Sequence, residues 1–164
     1  MKTLLIIDMQ HGFVKALKAK KQAKILSNVN ELINNGEYDL LLLTKFNNTN
    51  ELFLKETNYF LDESLTDIAV KYDNHKNYKV FDKSSYGLTP EIMGFLKANN
   101  ITQIDICGLD LDACVLASAY NLFDNGIKPT FILSACDSIS SKKQIKIIKD
   151  LILLQFGKDS IIMQ

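Results

Sequence analysis

Short unbroken apolar runs alternate along the chain with stretches whose apolar residues recur every three or four positions. The first run, Leu4-Leu5-Ile6-Ile7, predicts a strand buried on both faces. From about Lys18 to Asn34, Ala23, Leu26, Val29 and Ile33 fall at helical spacing, and Gly36 follows as a stop. Leu40–Leu43 predicts a second buried strand, followed by Thr44. Lys45 to Asn77 is polar and irregular, with short helices predicted around Glu51–Glu56 and Leu65–Lys71. So long an excursion in a compact domain is often functional, for instance as a lid. Tyr78–Phe81 predicts a third strand that ends near Lys83. Thr89-Pro90-Glu91 supplies an N-cap, an N1 proline and a first-turn acid for a helix running to about Asn99. Ile104–Cys107 predicts a fourth strand, and a helix from about Ala113 to Asn125 stops at Gly126. Thr130–Leu133, Lys142–Leu154 and Ile161–Ile162 complete the series as strand, helix and short strand.

This alternation implies βαβ units, hence an α/β fold with a mostly parallel, doubly wound sheet between two helical layers. No repeat, linker or low-complexity segment divides the 164 residues, so one domain spanning 1–164 is expected. In such a sheet the strands' carboxyl ends share one edge, where ligands bind. Asp8 follows the first strand, Lys83 the third, and Cys114 the loop after the fourth. The pattern therefore places an acid, an amine and a thiol on one edge. A helix N-terminus favours a thiolate, which makes Cys114 a candidate nucleophile. A carboxylate nearby can take the thiol proton, and a lysine between the two orients both anions. The backbone N–H of Cys114 is a candidate oxyanion donor, and the loop Gly108–Asp112 could supply another.

Composition narrows the function classes. Lys plus Arg and Asp plus Glu both number 19, so the basic excess of a nucleic-acid binder is absent. The dense basic stretch Lys15, Lys18, Lys20, Lys21 and Lys24 falls at a helix start and reads more simply as a solvated face than as an anion-binding patch. No apolar run is long enough to span a membrane, and Leu4–Ile7 ends at Asp8, unlike a signal-peptide core. Three scattered cysteines suit a reducing compartment, so a cytoplasmic location is expected. Cys107 and Cys136 read as buried small residues, and His11 and His75 as loop residues. No zinc-type spacing and no G-x-G-x-x-G after the first strand are present, so neither a metal nor a dinucleotide cofactor is expected. A phosphoacceptor domain would need paired acids after the first strand to hold Mg²⁺, but Met9 and Gln10 follow Asp8.

Three segments carry a family resemblance: Leu5-Ile6-Ile7-Asp8-Met9-Gln10, Val80-Phe81-Asp82-Lys83-Ser84-Ser85-Tyr86, and Cys107-Gly108-Leu109-Asp110-Leu111-Asp112-Ala113-Cys114-Val115. In motif, order and spacing the chain resembles the isochorismatase-like cysteine hydrolases, which include nicotinamidases and N-carbamoylsarcosine amidases. The resemblance implies a six-stranded parallel sheet of order 3-2-1-4-5-6. It implies Asp8 as general base, Lys83 as its charged partner and Cys114 as nucleophile. It also implies a cis peptide between Leu109 and Asp110, turning the Asp110 N–H toward an oxyanion beside that of Cys114. The reaction implied is hydrolysis of a small-molecule C–N bond, most simply an amide, through a cysteine thioester. Nicotinamidases of the superfamily bind a metal through an Asp and histidines after the second strand. Here that segment reads Thr44-Lys45-Phe46-Asn47-Asn48-Thr49-Asn50, so metal independence is expected. Isochorismatases proper lack the cysteine, and Cys114 argues against their vinyl-ether cleavage. Gln10, Phe13, Phe46, Asn47, Tyr86 and Leu109 are the substrate-pocket candidates. The expected partner is a small-molecule substrate, and the resemblance suggests homo-oligomers. The alternative is a catalytically silent interaction domain that keeps the fold.

Overall fold

The computed structural model describes residues 1–57 and 62–162, and residues 58–61 of the long polar excursion lie outside the described residues. Six strands form one all-parallel sheet: β1 (Thr3–Ile7), β2 (Leu40–Phe46), β3 (Tyr78–Lys83), β4 (Gln103–Gly108), β5 (Lys128–Cys136) and β6 (Ile161–Ile162). Their order is β3-β2-β1-β4-β5-β6. The helices are α1 (His11–Ala16), α2 (Ala19–Asn34), α3 (Glu51–Glu56), α4 (Pro90–Ala98), α5 (Leu116–Asp124) and α6 (Lys142–Phe156). The apolar runs became central strands because both their faces are covered: every residue of β1 is buried. Burying each such aliphatic side chain stabilises the fold by roughly 1.5–3 kcal/mol.

The chain leaves β1 toward β2 and later returns to lay β4 on its other side. This reversal opens a crevice at the carboxyl edge between β1 and β4. The strands approach closely there. Gly108 pairs with Ile7 at φ +121°, and a Cβ at that position would lie 2.1 Å from the Ile7 carbonyl oxygen. Only glycine closes β4 against β1 in this way.

Several expectations need correction. The segment after Asp8 is not loop: His11 opens the short helix α1, which its glycine and six-residue length concealed. No helix covers Leu65–Lys71; a 3₁₀ turn spans Glu63–Leu65, capped by Asp62, and Ile68 instead bridges to Gln10. The helix expected from Ala113 starts as a π turn, Leu111–Val115, before α5. The cause is local: the Asp110 carbonyl accepts from Ala113 at 3.0 Å and from Val115 at 3.1 Å. Strands β2 and β5 run three residues past their apolar cores, to Phe46 and Cys136. Among the described residues no helix is long and apolar enough to cross a membrane.

Candidate active site

Asp8, Lys83 and Cys114, 31 or more positions apart in sequence, meet at the carboxyl edge of the sheet. Asp8 takes the first position after β1 and turns the chain at φ +49°, a left-handed conformation in which Asp is among the better-tolerated residues. Its Oδ2 lies 2.7 Å from the Lys83 Nζ, and both side chains are fully buried. Its Oδ1 accepts a hydrogen bond from the Thr44 hydroxyl at 2.6 Å, while that hydroxyl accepts the Asp8 N–H at 3.0 Å. Lys83 is the last residue of β3, paired in register with Phe46. Its ammonium also donates to the carbonyls of Ser85 (2.8 Å) and Tyr86 (3.3 Å), so the charge is satisfied on several sides. Thr44 went unrecognised in the sequence, although a polar residue ending an apolar strand beside β1 was the available signal.

Cys114 sits in the π turn, 3 % exposed, with its thiol close enough to Asp8 and Lys83 to feel both charges. Burial pushes the thiol well above its ordinary value of 9.0; the Asp8 carboxylate pushes it further and the Lys83 ammonium draws it back. Burial and the Asp8 carboxylate thus work against the helix-terminus effect expected from sequence and favour the thiol over the thiolate. The Asp110 carbonyl engages the N–H groups of Ala113 and Val115 and passes over that of Cys114 between them. The Leu109–Asp110 peptide bond is cis.

The pocket candidates divide into three groups. Phe13, Phe46 and Tyr86 join Phe53 in an aromatic wall: ring centroids are 5.9 Å apart for Phe13 and Phe46, 5.0 Å for Phe46 and Phe53, and 4.7 Å for Phe53 and Tyr86. The Lys83 ammonium lies 5.8 Å from the Phe46 ring. Burial first, and then the nearby Cys114, raises the Tyr86 phenol pKa. Gln10 and Leu109 are not part of that wall. The Gln10 amide donates to the carbonyls of Phe46 (3.0 Å) and Thr66 (2.7 Å), and its oxygen accepts the Phe46 N–H at 2.7 Å. Leu109 is fully buried and its N–H donates to the Ile7 carbonyl. Asn47 lies at the rim, its N–H on the Lys83 carbonyl and its side-chain oxygen accepting from Thr49.

Around the carboxyl end of β2, which holds Lys45, the donor set does not suit a transition metal. Lys45 pairs with Asp67 at 3.2 Å, and no group of three or more His, Cys, Asp or Glu that could hold a metal ion occurs among the described residues.

Comparison with known proteins agrees with this architecture. The pyrazinamidase of Pyrococcus horikoshii, solved in complex with zinc, superposes with a TM-score of 0.82 at 17% identity, covering 99% of both chains. A nicotinamidase from Bacillus subtilis gives 0.77 at 18% identity, again covering 99% of each. At such identities the likeness is one of fold. In sequence, isochorismatase family protein 2A of Dictyostelium discoideum is 27% identical over 145 residues, which is 85% of this chain and 68% of that protein. The family model described as Isochorismatase domain matches residues 2–157, nearly the whole length, and the chain therefore belongs to the isochorismatase family.

Proposed function

We propose that this protein is a hydrolase that cleaves a small-molecule C–N bond of the amide type, using Cys114 as nucleophile. The observation that carries this reading is the buried Asp8–Lys83 pair at 2.7 Å, whose two charges both act on the Cys114 thiol. A thiol needs its proton removed as it attacks, and the neighbouring Asp8 carboxylate is the base we assign to take it. Sulfur then bonds to the carbonyl carbon, and the carbonyl oxygen becomes an oxyanion. The N–H groups of Asp110 and Cys114 are its proposed donors, each worth about 10²–10³ in rate. Asp8 returns the proton to the departing nitrogen as the C–N bond breaks. Water, deprotonated by Asp8, then attacks the thioester, and the sulfur leaves with that proton. Lys83 stays an ammonium throughout, balancing whichever of the carboxylate and sulfur is anionic.

The nicotinamidase and pyrazinamidase likenesses support an amide substrate, and the aromatic wall suits a flat or apolar body beside the scissile group. The donor set around the carboxyl end of β2 supports turnover without a metal. The test is ammonia release from a panel of small primary amides and ureido acids. Wild type should release ammonia from at least one of them, Cys114→Ala should not, and treatment with a chelator should leave the rate unchanged. Absence of Cys114-dependent turnover across the panel, with stable capture of a partner protein, would favour a silent interaction domain instead.

A further inference from the structure

The basic stretch near the start of α2 does not face solvent alone. Lys21 and Lys24 lie on the side of α2 that carries buried Ile25, and α6 presents Lys142, Lys146 and Lys149 at i, i+4 and i+7. Together they line a cavity of about 440 Å³ with Ile25, Leu111, Leu133 and Ile145 among its apolar walls. Five lysines thus surround a recess whose single acidic lining residue is Asp137. Asp137 pairs with Lys21 at 2.6 Å, and Lys21 also donates to the Ser138 carbonyl. No acid pairs with the other four lysines among the described residues. In a chain of zero formal charge, this concentrates uncompensated positive charge at one recess.

We propose that the cleft between α2 and α6 is a second ligand site, which takes an organic phosphate: a multiply charged anion on an apolar or aromatic body. The charge requirement follows from four unpaired ammonium groups, which a single carboxylate would leave mostly uncompensated. The body requirement follows from the aliphatic walls, and the volume lies in the ordinary range for small-molecule sites. None of Asp8, Lys83 and Cys114 lines the cleft, so its ligand is not the substrate of the hydrolytic site. The two sites do share an element. Leu111 belongs to the turn that carries Cys114, and its N–H donates to the Asp137 carbonyl at 2.9 Å, behind the Lys21 pair.

Calorimetric titration with ADP, pyrophosphate and adenosine, in low salt, tests the site. ADP should bind with a dissociation constant below about 1 mM, pyrophosphate more weakly, and adenosine not detectably. The double variant Lys24→Glu, Lys146→Glu alters two exposed side chains and should keep the wild-type circular dichroism spectrum. It should weaken ADP binding at least about tenfold, as should raising the salt. No ADP binding at about 5 mM, adenosine binding as tight as ADP, or ADP affinity undiminished in the variant would each overturn the proposal. The readout is binding, so loss of this site and loss of the hydrolytic reading are separately visible.

Discussion

Cys114 shows how a reactive position can differ from its sequence expectation while keeping its role. A cysteine near a helix start reads as a thiolate, yet burial and the Asp8 carboxylate favour its protonated form. Its reactivity then depends on proton transfer to Asp8 during attack rather than on a standing charge. Lys83 is the complement: alone in sequence it reads as a surface solvator, and in the fold its side chain is fully buried against Asp8. Breaking that pair from one side leaves a buried carboxylate uncompensated. Lys83→Met should therefore destabilise the protein by about 3–5 kcal/mol in chemical denaturation. The double variant Asp8→Asn, Lys83→Met should recover part of that loss, because neither charge is then stranded. Additive losses from the two single changes would mean that the pair is not coupled.

The strands were legible because unbroken apolar runs leave few alternatives, and Ile161–Ile162 matched even at two residues. The α4 cap was legible because Thr89-Pro90-Glu91 encodes it locally, and the Thr89 side chain does accept the Ile92 N–H. The ends of β2 and β5 were not, since Thr44, Lys45 and Cys136 extend their strands through pairing with neighbours rather than through their own propensity. Gln10 illustrates the same limit. It was legible as a motif residue at the sheet edge, but its three bonds tie the start of α1 to β2 and to Thr66, partners 36 and 56 positions away. Gln10→Ala would leave the buried Phe46 N–H without its acceptor, so a loss of about 2–4 kcal/mol is expected in denaturant unfolding. An unchanged midpoint would show that water or a neighbour replaces the amide.

Across the molecule, topology converts three scattered residues into one constellation and two lysine-bearing helices into one cleft. The first was legible because parallel strands must end on the same edge. The second was not, since nothing in the sequence says that α6 closes toward α2. The sheet also buries a carboxyl that the chemistry does not use. Asp105 in β4 accepts the Tyr38 hydroxyl at 3.0 Å, and burial is the main cause raising its pKa. A folded carboxyl that holds its proton to higher pH than the unfolded one disfavours the fold as pH rises from about 4 through the folded value. Asp105→Asn should thus raise the thermal midpoint by about 2–4 °C at neutral pH and have little effect near pH 4. A stabilisation that did not grow with pH would contradict this sign. The central claim concerns Cys114, which at 3 % exposure is less accessible than Cys136 at 9 %. The most direct measurement is the iodoacetamide alkylation rate of each, by peptide mass spectrometry from about pH 6 to about pH 10, in wild type and Asp8→Asn. Cys114 should react first in wild type, with Asp8 as base, and faster still toward alkaline pH. In Asp8→Asn the base is gone, so Cys114 should lose its lead at neutral pH and react only as rising pH ionises the thiol itself. Cys136 reacting first, with the Cys114 profile unmoved in the variant, would contradict the account.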